Sequence, residues 1–232
     1  MSSFYFYMTE PIHKEYLLVR HGETILNFKG RLQGDISAGS SLLVDGRQQA
    51  QVLAEQMRSE GLQVDLIITS KLLRAYQTAE IIQKCVLKPE DPEDHLSDHP
   101  NIEPVSLLQE RGFGSAQGKS YEQLGIGEGE HRKCLQELYV ADRTATFKDP
   151  ESLDSIDARL GQLVMHLSEA KAGRYVLVGH EMINSYLVNL LCNEGRVYHT
   201  QGNCRVHAFL LADNQLVKHR LDITKGFRFG LP

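Results

Sequence analysis

Four short apolar runs in this chain end on residues that can do chemistry. Residues 16–19 stop at Arg20-His21-Gly22, and residues 64–69 at Ser70, with Arg74 one helical turn on. Residues 105–108 stop just before Glu110, and residues 175–178 at Gly179-His180. Read as buried strands of an open α/β sheet, they deliver two Arg, two His and one Glu to one rim. Ligands of such sheets bind outside the carboxyl ends of the strands. Planar guanidiniums suit bidentate capture of phosphoryl oxygens, while imidazole and carboxyl offer a nucleophile and an acid–base pair. Taken singly, a His or Arg after a strand is usually a capping or surface group. Together, these five point to phosphoryl chemistry.

The elements that must hold them follow from periodicity. Apolar residues at helical spacing (Ala50, Leu53, Ala54, Met57) predict a helix over about 45–60, stopped by Gly61. Ser70 is expected to cap a helix running to about Cys85, with further helices over about 152–170 and 183–191. Residues 205–211 and 216–221 read as a closing hairpin around Ala212-Asp213-Asn214, and 115–150 as weakly periodic helical pieces. The stretch 88–101, rich in Pro and acidic residues, reads as a solvated loop. Strand–helix alternation with apolar strands predicts an α/β fold. The expectation is a single three-layer, doubly wound domain: a mostly parallel sheet with helices on both faces. Residues 1–15 form a short extension ahead of a catalytic domain over 16–232.

Composition narrows the function classes. The 232 residues carry 25 Lys+Arg against 30 Asp+Glu, a formal net charge of −5, which lacks the basic footprint of a nucleic-acid binder. An anionic ligand must then be drawn by a local cluster of cations. No run approaches the roughly twenty apolar residues that cross a bilayer, and the polar-aromatic start lacks a secretion signal's features. The expectations are no nucleic acid, no membrane, and a cytoplasmic address. Cys85, Cys134, Cys192 and Cys204 form no CxxC pair and no zinc-like spacing, so free thiols are expected. His21, His180 and Glu110 could imitate a two-His-one-carboxylate metal site, but two neighbouring guanidiniums would repel a cation. No metal and no cofactor are expected. His95 and His99 read as solvated loop residues, and His131, beside Arg132 and Lys133, as part of a solvated helix face.

The local words go further. Leu18-Val19-Arg20-His21-Gly22-Glu23-Thr24 is followed by Asn27 and by Gly30-Arg31-Leu32-Gln33-Gly34. Gly46 with Gln49-Ala50, the run Ser70 to Glu80, Leu108 to Gly112 and Val178-Gly179-His180 continue the series. In this order, over about residues 16–225, the chain resembles the histidine phosphatase superfamily, whose fold is phosphoglycerate-mutase-like. The resemblance implies that His21 is the nucleophile, forming a phosphohistidine, with its ring fixed by the carbonyl of Gly22. It implies that Arg20 and Arg74 bind phosphate, that His180 donates to the phosphoryl group, and that Glu110 is the proton donor. Asn27, Gln33 and the backbone N–H of Gly34 match further contacts to phosphate and leaving group. Cations close by should keep His21 unprotonated, and neighbouring phosphate charge should raise the pKa of Glu110. Removing one such donor should cost roughly 10²–10³ in rate.

The chain also departs from the family pattern. The stretch 35–45 is longer than the usual connection and lacks the family's proline-leucine-threonine word. Lys71 follows Ser70 where Pro or Asp is more typical, and Glu181 stands where many members place Gly. The 70 residues from Glu110 to His180 resemble phosphatase branches more than cofactor-dependent mutases. The function implied is hydrolysis of phosphomonoesters of small soluble metabolites. The alternatives are a phosphoglycerate-type mutase, with Arg132, Lys133, Arg143 and Lys148 holding a second anion, or a weakly active phospholigand-binding protein whose rim is blocked by residues 35–45. Substrate and oligomeric state are not readable.

Overall fold

Successive residues of the first strand feed two different cores. In β1 (His13–Arg20), Tyr16 and Leu18 join one apolar cluster while Leu17 and Val19 join another. The central strand β4 (Gly173–Gly179) divides in the same way, Tyr175 and Leu177 on one side and Val176 and Val178 on the other. A strand buried on both faces needs cover on both, so near-continuous apolar runs mark the centre of a layered sheet. Each fully buried Leu or Val side chain here stabilises the fold by roughly 1.5–3 kcal/mol. The computed structural model describes residues 11–36, 40–86, 100–142, 144 and 146–229.

In chain order the elements are β1, α1 (Ile25–Phe28), α2 (Val44–Ser59), β2 (Leu66–Ser70), α3 (Leu73–Cys85), β3 (Asn101–Val105), α4 (His131–Tyr139), α5 (Leu153–Glu169), β4 (Gly173–Gly179), α6 (Glu181–Cys192), β5 (Val206–Ala212) and β6 (Gln215–Ile223). The sheet order is β3-β2-β4-β1-β5-β6. The pairs β3/β2, β2/β4 and β4/β1 are parallel, while β1/β5 and β5/β6 are antiparallel. Apolar residues of α2 and α3 pack one face, and those of α4, α5 and α6 the other. The expected three-layer α/β architecture with a mostly parallel sheet is therefore what forms.

Three local expectations need correction. Of residues 105–108 only Val105 is in a strand: β3 covers Asn101–Val105, and Ser106–Leu108 turn in a 3₁₀ helix. Glu103 and Pro104 hide this strand from a search for apolar runs, yet an edge strand tolerates both because it is paired on one side only. Leu108 is apolar because that turn plugs it into the core. Ser70 does not cap α3, which starts at Leu73 behind Leu72 with no side-chain cap. Its hydroxyl instead accepts from the Leu72 N–H at 3.2 Å and faces His180. Helix α6 begins two residues earlier than expected, directly after His180. The helix over 152–170 is realised as α5, with Ser152 as the N-cap accepting from Ser155 N–H. The hairpin turns at Asp213 and Asn214, both left-handed. β1 starts at His13, and residues 1–10 of the expected extension lie outside the described residues. So do residues 37–39 of the long connection and 87–99 of the acidic loop.

The chain leaves β1 through a backbone crossing that admits no side chain. A Cβ on Gly22 would stand 2.3 Å from the carbonyl oxygen of Gly46, and one on Gly46 only 2.1 Å from that of Glu23. Leu43 N–H donates to the Glu23 carbonyl at 2.9 Å, which ties the start of α2 to this turn. Backbone on both sides cannot give way as a flexible side chain would. Gly46→Ala is expected to destabilise the fold by about 1–3 kcal/mol in urea unfolding, because the helix must shift. An unchanged midpoint would mean that the crossing is slack.

Candidate active site

His21 follows β1, and its backbone N–H continues the sheet by donating to Gly179 O at 3.1 Å. Its ring is held from both ends. Nδ1 lies 2.7 Å from the Gly22 carbonyl, which can only accept, so Nδ1 carries the proton. Arg74 Nε lies 3.2 Å from Nε2, and a guanidinium can only donate, so Nε2 presents a lone pair. Two independent partners therefore select one neutral tautomer. Burial pushes the His21 pKa well below the ordinary value, Arg74 and Arg20 push the same way, and the Gly22 bond opposes them.

Arg74 comes from the first turn of α3 and is almost completely buried. Its Nη2 donates to the Gly34 carbonyl at 2.7 Å, while its buried Nη1 has no hydrogen-bond partner among the described residues. One turn on, Thr78 Oγ1 donates to the Arg74 carbonyl at 2.8 Å and accepts from Gly22 N–H at 3.1 Å. That hydroxyl couples the helix carrying Arg74 to the turn carrying the imidazole. Arg20 Nη1 donates to the Gln201 carbonyl at 2.5 Å and pairs with Glu181 Oε2 at 2.7 Å. Its Nε is likewise buried without a partner. Guanidinium donors left unpaired beside a neutral imidazole make a seat for an oxyanion.

His180 lies beyond His21, ring centroids 5.1 Å apart, with Nε2 2.9 Å from Ser70 Oγ and Nδ1 without a partner among the described residues. It is fully buried and is held neutral by that burial, then by Arg74, His21 and Arg20. Glu110 opens on the cavity. Burial raises its pKa; the Arg111 N–H, donating to Oε1 at 2.9 Å, and Arg74 act against this, while Glu181 adds to it. Gln33 is buried with Oε1 unpartnered among the described residues, and Asn27 lends Oδ1 to the Thr24 N–H in the capping box of α1. Gly34, with φ +56°, supplies its carbonyl to Arg74.

These groups share one cavity of about 470 Å³, counting the solvent at its mouth. Arg20, His21, Asn27, Gln33, Gly34, Arg74 and Glu110 line it; His180 stands behind His21 and does not. Arg31, Tyr121, Glu181 and Tyr198 complete the polar part of the wall. Arg132 lies at an adjoining opening with Thr200. His131 stacks on Tyr121 at 4.0 Å, and Arg143, His95 and His99 lie outside the described residues. All four cysteines are free, and among the described residues no helix is long and apolar enough to cross a membrane.

Sequence reasoning passed over several supports. Gln201 Nε2 donates to Leu18 O and Arg205 O, both at 2.8 Å, and Asn203 Nδ2 to His21 O at 2.8 Å. Both precede β5, which runs antiparallel to β1, so its beginning meets the end of β1. That reversal was the available signal. Arg111 is fully buried, donating to the carbonyls of Leu138, Ala141 and Glu151 and to the Tyr186 hydroxyl. It pins the loop carrying Glu110 to the end of α4, and no local pattern marks it.

The fold and the cavity together define an enzyme of phosphoryl transfer or phosphate-ester hydrolysis. The model of the histidine phosphatase superfamily (branch 1) matches residues 16–224, and the chain belongs to that superfamily. Over 176 residues it is 31% identical to a probable phosphoglycerate mutase GpmB of Yersinia enterocolitica, covering 75% of this chain and 73% of that protein. A metal-independent phosphoserine phosphatase of Arabidopsis thaliana is 40% identical over 104 residues, covering 45% of this chain and 38% of that one. In fold the chain is similar to a putative alpha-ribazole-5'-P phosphatase of Escherichia coli. There the TM-score is 0.70 at 20% identity, over 91% of this chain and 97% of that one.

The buried imidazoles carry a stability consequence. His207, in β5, is pushed down from 6.5 to about 4, chiefly by burial, and His21 and His180 shift in the same direction. Between these folded-state values and 6.5 the unfolded chain binds more protons, so stability is full above pH 6.5 and is lost as pH falls. Glu110, raised from 4.5, has the opposite sign: its contribution is present below 4.5 and lost on the way up. Urea midpoints measured from pH 7 to 5 should fall, and His207→Gln should lessen the slope by up to about 1.4 kcal/mol per pH unit. An unaltered slope in that variant would show that His207 titrates normally.

Proposed function

We propose that this protein hydrolyses phosphomonoesters of small soluble metabolites through a phosphohistidine on His21, without a metal. The observation that carries the reading is the doubly fixed His21 tautomer, with its Nε2 lone pair beside Arg74 in a cavity that holds a carboxyl of raised pKa. The substrate phosphoryl group takes over the free donors of Arg20 and Arg74, and Nε2 forms a bond to phosphorus as the ester P–O bond breaks. Protonated Glu110 gives its proton to the departing alkoxide. The carboxylate then accepts a proton from water, whose oxygen attacks phosphorus, breaks the N–P bond and releases phosphate. Ser70 donates to His180 Nε2, which leaves Nδ1–H, set back behind His21, to meet a phosphoryl oxygen that reaches past the present cavity wall as negative charge builds. Asn27, Gln33 and Gly34 hold the phosphate and the leaving group, and Gly22 holds the nucleophile.

The two pKa directions serve this scheme. Attack needs neutral His21 and protonated Glu110, forms that overlap poorly at the ordinary values of 6.5 and 4.5. Lowering the first and raising the second enlarges the fraction of molecules holding both. A substrate dianion raises Glu110 further.

His21→Ala should abolish turnover of p-nitrophenyl phosphate, and EDTA should leave the wild-type rate unchanged. Rapid acid-free quenching should trap a phosphoryl group on the His21 ring. Equal turnover by wild type and His21→Ala would remove His21 as nucleophile; anion binding without any turnover would leave a phospholigand-binding protein. Glu110→Gln should slow phosphorylation of His21 by alkyl esters roughly 10²–10⁴-fold, and less for p-nitrophenyl phosphate, whose leaving group needs little protonation. Equal losses on both esters would place the proton donor elsewhere. A mutase is the second reading, favoured by the 31% identity to a probable phosphoglycerate mutase. Isomerisation of a phosphoglycerate with a bisphosphate primer would favour it over hydrolysis.

A further inference from the structure

Glu181 is the first residue of α6, directly behind His180, and its carboxylate stands inside the cavity rather than in solvent. Its Oε2 lies 2.7 Å from Arg20 Nη1, with the two side chains only 16% and 21% exposed. The Glu181 charge is felt by Tyr198, Glu110 and Tyr121, whose pKa values it raises. Glu181 also lines the adjoining opening beside Arg132. A leaving group protonated by Glu110 therefore departs past a second, fixed carboxylate.

Counting charge gives that carboxylate a purpose. Among the described residues three guanidiniums line the cavity: Arg20, Arg31 and Arg74. With Glu110 protonated for catalysis and both imidazoles neutral, Glu181 brings three positive charges down to two. Two match a phosphoryl dianion. An ester whose leaving group bears a further carboxylate or phosphate would put surplus negative charge beside Glu181 in a poorly solvated space, where like charges in contact are costly. We infer that Glu181 is a specificity-determining residue that restricts the site to phosphate esters of neutral or cationic alcohols. The inference rests on the phosphatase reading above and names its substrate class.

The test compares kcat/KM for glycerol 3-phosphate and 3-phosphoglycerate, which differ in a hydroxymethyl group against a carboxylate. Wild type should favour glycerol 3-phosphate by at least about tenfold. Glu181→Gln keeps a hydrogen-bonding partner for Arg20 but removes the charge, and should raise the relative rate on 3-phosphoglycerate about tenfold. Glu181→Asp should retain the wild-type ratio, and Glu181→Ser serves if the glutamine variant does not fold. A residue that merely held Arg20 in place would alter both rates and leave their ratio alone. Wild-type rates within about twofold of each other, or a ratio unmoved by charge removal, would overturn the assignment. Residual turnover in His21→Ala would instead sink the phosphatase reading beneath it. Turnover that needs His21 with an unmoved ratio sinks the Glu181 assignment alone.

Discussion

An imidazole gripped between an acceptor and a donor is the constraint around which this molecule is arranged. The Gly22 carbonyl and the Arg74 guanidinium each permit one proton arrangement on His21, and they agree. Each partner is held in its turn. The carbonyl is fixed by a turn jammed against Gly46, and the guanidinium by its bond to Gly34 and by the Thr78 bridge between α3 and that turn. Preorganisation of this kind is what the proposed mechanism requires of a weakly basic side chain acting as a nucleophile.

Holding guanidiniums in a buried place carries a desolvation cost, and the fold offsets it largely with backbone carbonyls. Arg74 bonds Gly34 O, Arg20 bonds Gln201 O, and Arg111 bonds three carbonyls with no carboxylate among its partners. Carbonyl dipoles solvate a cation without cancelling its charge, so the positive field survives for an incoming anion. At the cavity, the Glu181 carboxylate paired with Arg20 departs from this and tempers the field at one corner.

Much of this was legible before any coordinates. The runs YLLV and YVLV announced the two central strands, because burial on both faces demands continuous apolarity. Their ends announced Arg20, His21 and His180. The apolar spacing of Ala50 to Met57 gave α2 to within a residue. Elements whose positions are set by long-range packing were not legible. β3 carries Glu103 and Pro104 and exists because β2 offers it an edge. Ser70 looked like a cap because Ser before an apolar helix usually is one; tertiary structure gave its hydroxyl to His180. Gln201, Asn203 and Arg111 sit in no periodic pattern, and their value appears only when distant segments close around them.

One contact has a further meaning for reactivity. In the proposed mechanism, the His21 lone pair that attacks phosphorus is covered by Arg74 Nε. Uncovering it requires a guest able to draw the guanidinium toward itself, and oxyanions do this best. Neutral electrophiles offer the guanidinium nothing and so meet a masked nucleophile. On that scheme selectivity begins before any pocket wall is touched, since the residue proposed to recognise the substrate is also the one that unsheathes the nucleophile.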